Sequence, residues 1–197
     1  MTSPRLNADF LSPMQLEEFG VANAADRNIQ IHSTAVIVDF SAIEFGRNIR
    51  IDPFVVINCK RLQIKDYVHV ASGCSLSGQG TIFLESFSGL SHHCLVFTSS
   101  DDYTGGSLTN PTVPSTYKCV KTADVSIGSH CIVGAATTIL PGARLHEGAA
   151  VGARSLVTNE LDAWTIHAGV PTRALRPRSK RCLELEHELR NAEKAIS

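Results

Sequence analysis

Residues 127–157 read IGSHCIVGAATTILPGARLHEGAAVGARSLV, and this stretch decides the fold. One aliphatic residue recurs every six positions along it, and neither a helix nor an ordinary strand repeats with that period. A six-residue period is typical of a parallel β-helix, in which three short faces make one coil and coils stack about 4.8 Å apart. Each repeating residue then points into a narrow triangular core. The repeating residues are Ile127, Val133, Ile139, Leu145, Val151 and Val157.

Two further positions of each six-residue unit fit this fold. The fifth position holds a residue small enough for a tight inner corner, namely Cys131, Thr137, Ala143, Ala149 and Ser155. The second position is often glycine, and we expect Gly128, Gly134 and Gly152 to relax the turn between faces, where a Cβ would resist the backbone angle. The alternative is a β-sandwich, but strands of period two do not generate five consecutive six-residue units with small residues at one phase.

The pattern continues upstream with phase slips, which indicate short insertions at the corners of coils. Aliphatic tracks of the same period begin at Ile31, Phe45, Ile64 and Leu84. The sequence therefore predicts an all-β solenoid, a parallel β-helix that spans residues 29–175 of the 197-residue chain as a single domain.

Both ends are expected to cap the solenoid, because open strand edges invite aggregation. Residues 1–28 should form a helical cap, with Ser12, Pro13 and Gln15 as the capping box of a short helix. Residues 176–197 carry aliphatic side chains at helical spacing among charged ones, which indicates an amphipathic C-terminal helix.

Composition and charge give no reason to expect a polymeric partner. The formal net charge is −1 and the pI is about 6.7, so neither nucleic acid nor an anionic membrane is favoured. No apolar run approaches the roughly 20 residues of a membrane span, and the N-terminus lacks the basic-then-apolar order of a secretory signal. None of the six cysteines belongs to a CxxC pair, which favours buried reduced thiols over disulfides or a metal site. These features predict a cytoplasmic protein.

The longest interruption of the period is residues 98–124, which are too polar and too rich in glycine, proline and serine to form a coil. Loops of this length on a rigid scaffold usually build a site, so we interpret this segment as an active-site loop. Pro111, Pro114 and Tyr117 indicate an ordered path rather than a flexible insertion.

The hexapeptide coils, the extruded loop and the closing residues 152–178 together resemble the left-handed β-helix acyltransferase superfamily. In that family a stretch like AGVPTRAL, residues 168–175, ends the coil at the coenzyme site. The last third of the chain is similar to galactoside and maltose O-acetyltransferases and to sugar acetyltransferases of surface-polysaccharide biosynthesis. The left-handedness follows from this resemblance and not from the spacing.

The resemblance implies a homotrimer with acetyl-CoA in the groove between neighbouring solenoids. Carried over by position, the backbone at Ala135 and Ala153 would bind the pantetheine amides, and Thr158 would lie near the adenine end. Arg173 and Arg176 would meet the coenzyme phosphates, a role that suits a guanidinium fork. The acceptor would be a hydroxyl or amino group of a sugar, as a nucleotide-linked or lipid-linked precursor of surface polysaccharide.

Acyl transfer from a thioester requires a base that removes the acceptor's proton, and this family mostly uses histidine. In the galactoside type that histidine lies in the extruded loop, but residues 98–124 contain none here. The favoured replacements are His93 and His92, at a coil corner just before the loop, with Asp102 orienting the imidazole. His130, directly after the loop, is the reserve candidate because it could face the same groove.

Three loop residues are candidates for binding the acceptor. Asp101, Tyr103 and Asn110 carry a carboxylate, a phenol and an amide, which are suitable partners for sugar hydroxyls. No cysteine stands out as an acyl-enzyme nucleophile, so we expect direct attack in a ternary complex.

Two other classes of protein are alternatives to a sugar acetyltransferase. Carbonic anhydrases of the γ type share this fold and bind zinc with two histidines five residues apart, a spacing that none of the eight histidines has, so no metal is expected. A non-catalytic trimeric scaffold is favoured by the missing loop histidine and opposed by the intact coenzyme segment. The lack of a further N-terminal nucleotide-binding domain slightly favours O-acetylation over N-acetylation.

Overall fold

Parallel strands form three faces that meet at three corners, as the six-residue period predicts. The computed structural model describes residues 9–196. Its helices are α1 (Pro13–Glu18) and α2 (Arg181–Ile196), with 3-10 turns at Phe40–Ala42 and Ser115–Tyr117. Its strands are β1 (Ile29–Ile31), β2 (Val36–Ile37), β3 (Ile43–Phe45), β4 (Ile49–Ile51), β5 (Val56–Ile64), β6 (Val68–Val70), β7 (Ser75–Leu84), β8 (Gly89–Leu90), β9 (Leu95–Phe97), β10 (Ser99–Ser100), β11 (Lys121–Thr122), β12 (Val125–Ile127), β13 (Ile132–Val133), β14 (Thr138–Ile139), β15 (Arg144–Leu145), β16 (Ala150–Val151), β17 (Leu156–Val157), β18 (Glu160–Leu161), β19 (Thr165–Ala168) and β20 (Arg173–Pro177).

Each face is a stack of strands taken from successive coils. The first face runs β1, β4, β6, β8, β13, β16 and β19, all paired in parallel. The second face contains β2, β9, β14 and β17 with the first halves of β5 and β7. The third face contains β3, β12, β15 and β18 with the second halves of β5 and β7. The predicted β-solenoid is therefore confirmed.

The predicted inward positions form the core. All six residues of the repeat in residues 127–157 are buried, and so are the five small residues at the inner corner. The upstream tracks also point inward, with Ile31, Ile64 and Leu84 buried and Phe45 half-buried. The core is thus one continuous apolar column along the axis of the solenoid.

The glycines at the second position of each unit have a different role from the one that the sequence suggested. None of Gly128, Gly134 and Gly152 has a positive φ. A Cβ on Gly134 would instead lie 2.5 Å from the nitrogen of Ala153, and one on Gly128 would lie 2.8 Å from the carbonyl oxygen of Leu145. These glycines are required because the next coil passes too close for a side chain, not because of their backbone angle.

The left-handed backbone angles mostly occur two residues later, at two of the corners, although Gly142 has one at the remaining corner, between β14 and β15. The first corner joins the first face to the second, and the third corner joins the third face to the first face of the next coil. Most residues with positive φ at these corners are not glycine, and they include Phe54, His93, Ala136 and Arg154 at the first corner and Tyr67, Phe87, His130 and Trp164 at the third. Side chains at these two corners therefore project outward in vertical columns.

Helix α1 of the predicted N-terminal cap packs on one end of the solenoid, and residues 1–8 of that cap lie outside the described residues. Ser12 Oγ accepts from the amide of Gln15 at 3.3 Å, and Gln15 Oε1 accepts from the amide of Ser12 at 2.9 Å, so the capping box is formed. Leu16 is fully buried against the first coil.

The C-terminal end differs from the expected boundary at residue 176. The chain reverses at Gly169, and β20 pairs antiparallel with β19, so that α2 begins only at Arg181. Strand β20 pairs with the free edge of β19, the last strand of the first face. A helix that started at residue 176 would have left the backbone groups of that edge unpaired. Within residues 9–196, no helix has the length and apolar composition that crossing a membrane requires.

We expect Ile139→Ala to lower the free energy of unfolding by about 2–5 kcal/mol, because rigid stacked coils cannot close the cavity left by a fully buried side chain. Thr138→Ala, in the same strand but on its outward face, is the matched control and should change it by about 0.5 kcal/mol or less. Urea unfolding measures both. Equal losses would contradict the assignment of inward positions.

Candidate active site

The two favoured histidines lie at the first corner, where the chain turns from β8 into β9. Both side chains are exposed to solvent. His93 has a φ of 59° and its imidazole covers Gly73 on the coil below, where a Cβ would lie 2.3 Å from Nδ1. His92 lines a depression on the first face, described below. The corner therefore presents two accessible imidazoles that point in different directions.

The alanines expected to bind pantetheine lie at the same corner on the next two coils. Ala136 donates its amide to the carbonyl of His92 at 2.8 Å, and Arg154 donates to the carbonyl of Ala135 at 2.8 Å. The amides of Ala135 and Ala153 donate to no group within residues 9–196. A backbone N–H is a strong hydrogen-bond donor, so these two amides can bind the carbonyl oxygens of an extended ligand.

The remaining coenzyme candidates are not all close to these alanines. Thr158 follows β17 at the second corner, between the second and third faces, so the structure does not bring it to the first corner. Arg173 and Arg176 lie on β20 at the end of the stack, and both side chains are exposed. Arg178, which immediately follows β20, donates to the carbonyl of His130 at 2.6 Å and to that of Gly148 at 2.9 Å.

His130 lies at the third corner, away from His92 and His93, so it does not face their groove. Its ring stacks on that of Phe87 with centroids 5.2 Å apart and planes 6° apart, and Phe87 stacks in turn on Tyr67. On the other side the ring of Trp164 reaches it across Gly148 at 5.9 Å. The side chain of His130 is only 7% exposed.

Helix α2 packs along this aromatic column. Glu186 accepts from His130 Nε2 at 2.7 Å and from Arg190 Nε at 2.6 Å. The guanidinium of Arg190 lies 5.3 Å from the ring centroid of Phe87, and Tyr67 donates to Glu193. Burial alone would raise the pKa of Glu186, but the hydrogen bonds from Arg190 and His130 outweigh it and hold that pKa below its usual range. His130 therefore anchors the C-terminal helix.

The extruded loop begins and ends on a short antiparallel ribbon. Its strands β10 and β11 pair Ser99 with Thr122 and Ser100 with Lys121. Thr98, fully buried beneath the ribbon, donates from Oγ1 to the carbonyl of Ser77 at 3.2 Å. The loop thus leaves at the second corner from a fixed base.

Asp102 organises the loop and makes no contact with His92 or His93 within the described residues. Its Oδ1 accepts from the amide of Thr104 at 2.8 Å and from the hydroxyl of Thr104 at 2.6 Å, while Oδ2 accepts from Ser107 Oγ at 3.3 Å. The hydrogen bonds from Thr104 lower the pKa of this carboxyl. The sequence pairing of Asp102 with His93 is therefore not seen within one chain.

Of the three loop residues predicted to bind the acceptor, Asp101 directly follows β10, and Tyr103 and Asn110 lie further along the loop. Tyr103 is 93% exposed, and Asp101 is half-buried beside it. Asn110 is exposed, with a φ of 74° and its Oδ1 accepting from the amide and hydroxyl of Thr112. Tyr103 and Asn110 are therefore open to solvent, whereas Asp101 is so only in part.

A depression on the first face brings His92 together with residues that the sequence analysis did not single out. His69, Gly89, Ser91, His92 and Ile132 line it, and we call it the first-face pocket.

His69 Nε2 donates to Asp52 Oδ2 at 2.8 Å, and Asp52 Oδ1 accepts from Arg50 Nε at 2.7 Å. His69 and Asp52 are 17 residues apart, so only the vertical register of β4 and β6 makes them neighbours. Aligning the upstream coils on Ile31, Ile51 and Val70 would have found the pair.

None of the six cysteines forms a disulfide, and Cys74, Cys94 and Cys131 occupy the buried inner positions. Burial raises the pKa of Cys131, and that of Cys59, to about 11. Thiols of this kind are poor nucleophiles near neutral pH. Residues 9–196 also contain no group of three or more histidine, cysteine or acidic side chains arranged to hold a metal ion.

No family model matches the chain. It is 35% identical over 179 residues to the dTDP-4-amino-4,6-dideoxy-D-glucose acyltransferase of Escherichia coli, covering 90% of this chain and 93% of that protein. It is 29% identical over 164 residues to the putative lipopolysaccharide biosynthesis O-acetyl transferase WbbJ of Escherichia coli K12, covering 78% of each. Among solved structures it resembles AntD, an N-acyltransferase from Bacillus cereus in complex with dTDP and 3-hydroxybutyryl-CoA, at a TM-score of 0.89 and 35% identity, over 96% of this chain and 100% of that one.

We expect Glu186→Gln to lower the free energy of unfolding by about 1 kcal/mol at pH 7, because it removes the charge that His130 and Arg190 bind. The folded pKa of Glu186 lies below its ordinary value of 4.5, so its contribution is present above that value and is lost as the pH falls through the folded pKa. The difference between wild type and variant should therefore disappear at low pH.

Fluorescence of Trp164, the single tryptophan, reports unfolding next to α2. Glu188→Gln, on an exposed position of the same helix, is the matched control and should equal wild type at both pH values. A pH-independent loss in Glu186→Gln would contradict the role of its charge.

Proposed function

The chain belongs to the hexapeptide-repeat acyltransferases of the left-handed β-helix fold, which here transfer an acyl group from coenzyme A to a sugar, and on that premise we propose that it acylates the 4-amino group of a dTDP-linked 4-amino-4,6-dideoxy sugar. The observation that carries this proposal is the 35% identity, over 90% of the chain, to an acyltransferase named for that sugar nucleotide. The O-acetyl transferase relative is less similar and covers less of the chain. N-acylation therefore replaces the slight preference for O-acetylation.

We propose that the acyl-CoA lies along the first corner. The unpaired amides of Ala135 and Ala153 lie one coil apart, about 4.8 Å, and can donate to carbonyl oxygens of an extended pantetheine arm. The exposed guanidinium groups of Arg173 and Arg176 at the end of the stack suit the coenzyme phosphates. Thr158 serves the adenine end only if the coenzyme crosses the second face.

The proposed assembly is a trimer in which each loop serves a neighbouring chain. Asp101, Tyr103 and Asn110 lie on a loop that leaves the solenoid from the ribbon of β10 and β11, and we propose that they contact a sugar nucleotide held by the next chain. The second face also exposes Val36 and Val56, which are apolar groups that a partner would cover.

The reaction we propose is direct attack in a ternary complex. The amine nitrogen bonds to the thioester carbonyl carbon, the carbon–sulfur bond breaks, and the proton lost by nitrogen finally resides on the coenzyme thiol. The raised pKa values of Cys59 and Cys131 argue against an acyl-cysteine intermediate at either thiol. His92 and His93 are proposed contacts of the acceptor at the corner where these groups meet. Free thiols also favour a reducing compartment, so we propose a cytoplasmic enzyme that makes a precursor of surface polysaccharide.

We expect the purified protein to transfer acetyl or 3-hydroxybutyryl from its CoA ester to dTDP-4-amino-4,6-dideoxyglucose, with release of free coenzyme A thiol and an amide product detected by mass spectrometry. The matched control is the same sugar nucleotide with a hydroxyl at carbon 4, because it differs only in the attacking atom. Faster transfer to the hydroxyl sugar would contradict the proposed acceptor.

We expect Ala153→Trp to weaken binding of coenzyme A at least about tenfold, or about 1.4 kcal/mol, because the indole would fill the first corner. Ala163→Trp is the matched control, since this exposed alanine lies beside the third corner. Isothermal titration calorimetry measures both affinities. Equal weakening by the two variants would argue against a coenzyme path along the first corner.

A further inference from the structure

Asp52 is a buried carboxylate that the solenoid does not need. It stands one residue beyond β4, and the registers of the first face place Ala71, Ser91, Gly134 and Gly152 at the same position of later coils. Those residues are small and uncharged, as a crowded position beside the core requires. A carboxylate that is only 10% exposed loses most of its hydration, a cost that a small neutral residue avoids.

The small residue above Asp52 allows its carboxylate to reach the next coil. Ala71 leaves room over Asp52, and His69, on the outward side of β6, donates to it from Nε2 at 2.8 Å. Arg50, on the outward side of β4, donates to the other carboxylate oxygen at 2.7 Å. Burial acts to raise the pKa of Asp52, but the hydrogen bonds from Arg50 and His69 outweigh it and hold that pKa below its usual range. The carboxyl is therefore ionised at neutral pH.

An ionised carboxylate can only accept hydrogen bonds, so it fixes the tautomer of the imidazole it contacts. Nε2 of His69 must carry the proton, and Nδ1 then presents its lone pair. Within residues 9–196 no group contacts Nδ1, and the side chain of His69 is 50% exposed where it lines the first-face pocket beside Ser91 and His92. An imidazole held by a carboxylate, with its second nitrogen open to a pocket, is the arrangement of a general base.

We propose that His69 is the general base that takes the proton of the acceptor amine, with Asp52 as the positioning residue that fixes its tautomer. This assignment rests on the proposed function. As nitrogen bonds to the thioester carbon, His69 Nδ1 accepts the amine proton, and the resulting imidazolium returns it to the coenzyme thiolate when the carbon–sulfur bond breaks. Asp52 keeps its negative charge throughout and stabilises the imidazolium.

The pocket offers no equivalent partner for the other histidine. His92 has no carboxylate within hydrogen-bond distance in the described part of the chain, whereas His69 is fixed in orientation. The charged and titratable groups that face His69 are Arg50 and Asp52 from β4 and His92 from the first corner. Beneath Asp52, the buried His32 is bonded through Nδ1 to Thr34 and does not reach His69.

The test compares His69→Gln with wild type in the amine-transfer assay. We expect kcat to fall by about 10²- to 10⁴-fold, with little change in the KM of either substrate, because only proton transfer is removed. The acidic limb of the kcat–pH profile, which reports protonation of the base, should be lost. Asp52→Asn should lower kcat as well, since an asparagine can donate to Nε2 and favour the unproductive tautomer.

The matched control is His146→Gln. His146 also pairs with a carboxylate on the next coil, Glu160 at 3.1 Å, but on the third face and away from the pocket. Wild-type kcat and pH profile are expected for this variant. Calorimetric binding of coenzyme A to His69→Gln should match wild type, which separates loss of chemistry from loss of fold.

The outcomes distinguish failure of the assignment of His69 as the base from failure of the proposed acceptor. Transfer by wild type that persists in His69→Gln with its acidic limb intact would overturn the assignment of the base alone. Loss of the acidic limb in His92→Gln but not in His69→Gln would also overturn it. No transfer by wild type to the amino sugar would overturn the proposed acceptor, and the assignment with it.

Discussion

Stacking of each coil on the one below it is the constraint on which the rest of this structure depends. Parallel strands fix the vertical spacing on the three faces, and at the first corner the ladder continues through the bonds from Ala136 to His92 and from Arg154 to Ala135. Some backbone groups are therefore paired even where the chain turns, whereas the amides of Ala135 and Ala153 at the same corner have no partner within residues 9–196. As a result, the neighbours of a side chain are set by its column rather than by the residues beside it in sequence.

The columns explain why glycine and aromatic residues occur on adjacent coils at the corners. Gly73 lies beneath the ring of His93, and Gly148 lies beneath Trp164, where a Cβ would be 2.4 Å from the indole. Both glycines share the positive φ of the residue above them, so the backbone is the same and only the side chain differs. Because glycine has no side chain, the aromatic ring of the residue on the next coil can pack over it. At the third corner this brings Trp164 to His130 and completes the surface on which α2 packs.

The sequence predicted the fold because the six-residue period depends on local spacing alone. The inward positions from Ile127 to Val157 and the N-terminal capping box required no knowledge of three-dimensional register. The misplaced site residues all depend on register. His130 is the reserve candidate because it directly follows the loop, but it lies after β12 at the third corner, whereas His92 lies after β8 at the first. Asp102 was paired with His93 from closeness in sequence, whereas the ribbon of β10 and β11 directs the loop away.

The same dependence on register explains why the Asp52–His69 pair escaped sequence analysis. In the regular part of the solenoid, equivalent residues such as Val133 and Val151 are 18 apart, but Ile31 and Ile51 are 20 apart and Ile51 and Val70 are 19 apart. Irregularities such as the bulge between Cys59 and Arg61 absorb the extra residues at the second corner. The upstream coils therefore have no constant spacing from which a vertical pair can be inferred.

The groups proposed to act on the substrates are distributed in order along the axis of the solenoid. The Asp52–His69 pair lies on the coils below the one that carries His92 and the extruded loop, and the unpaired amides of Ala135 and Ala153 lie on the coils above it. A ligand lying along the first corner thus meets one group from each successive coil, and no short sequence motif contains them all. The third corner cannot serve in this way, because α2 and its contacts with His130 already cover it. Helix α2 covers the third corner and leaves the first corner open. This difference favours the first face as the location of the proposed chemistry.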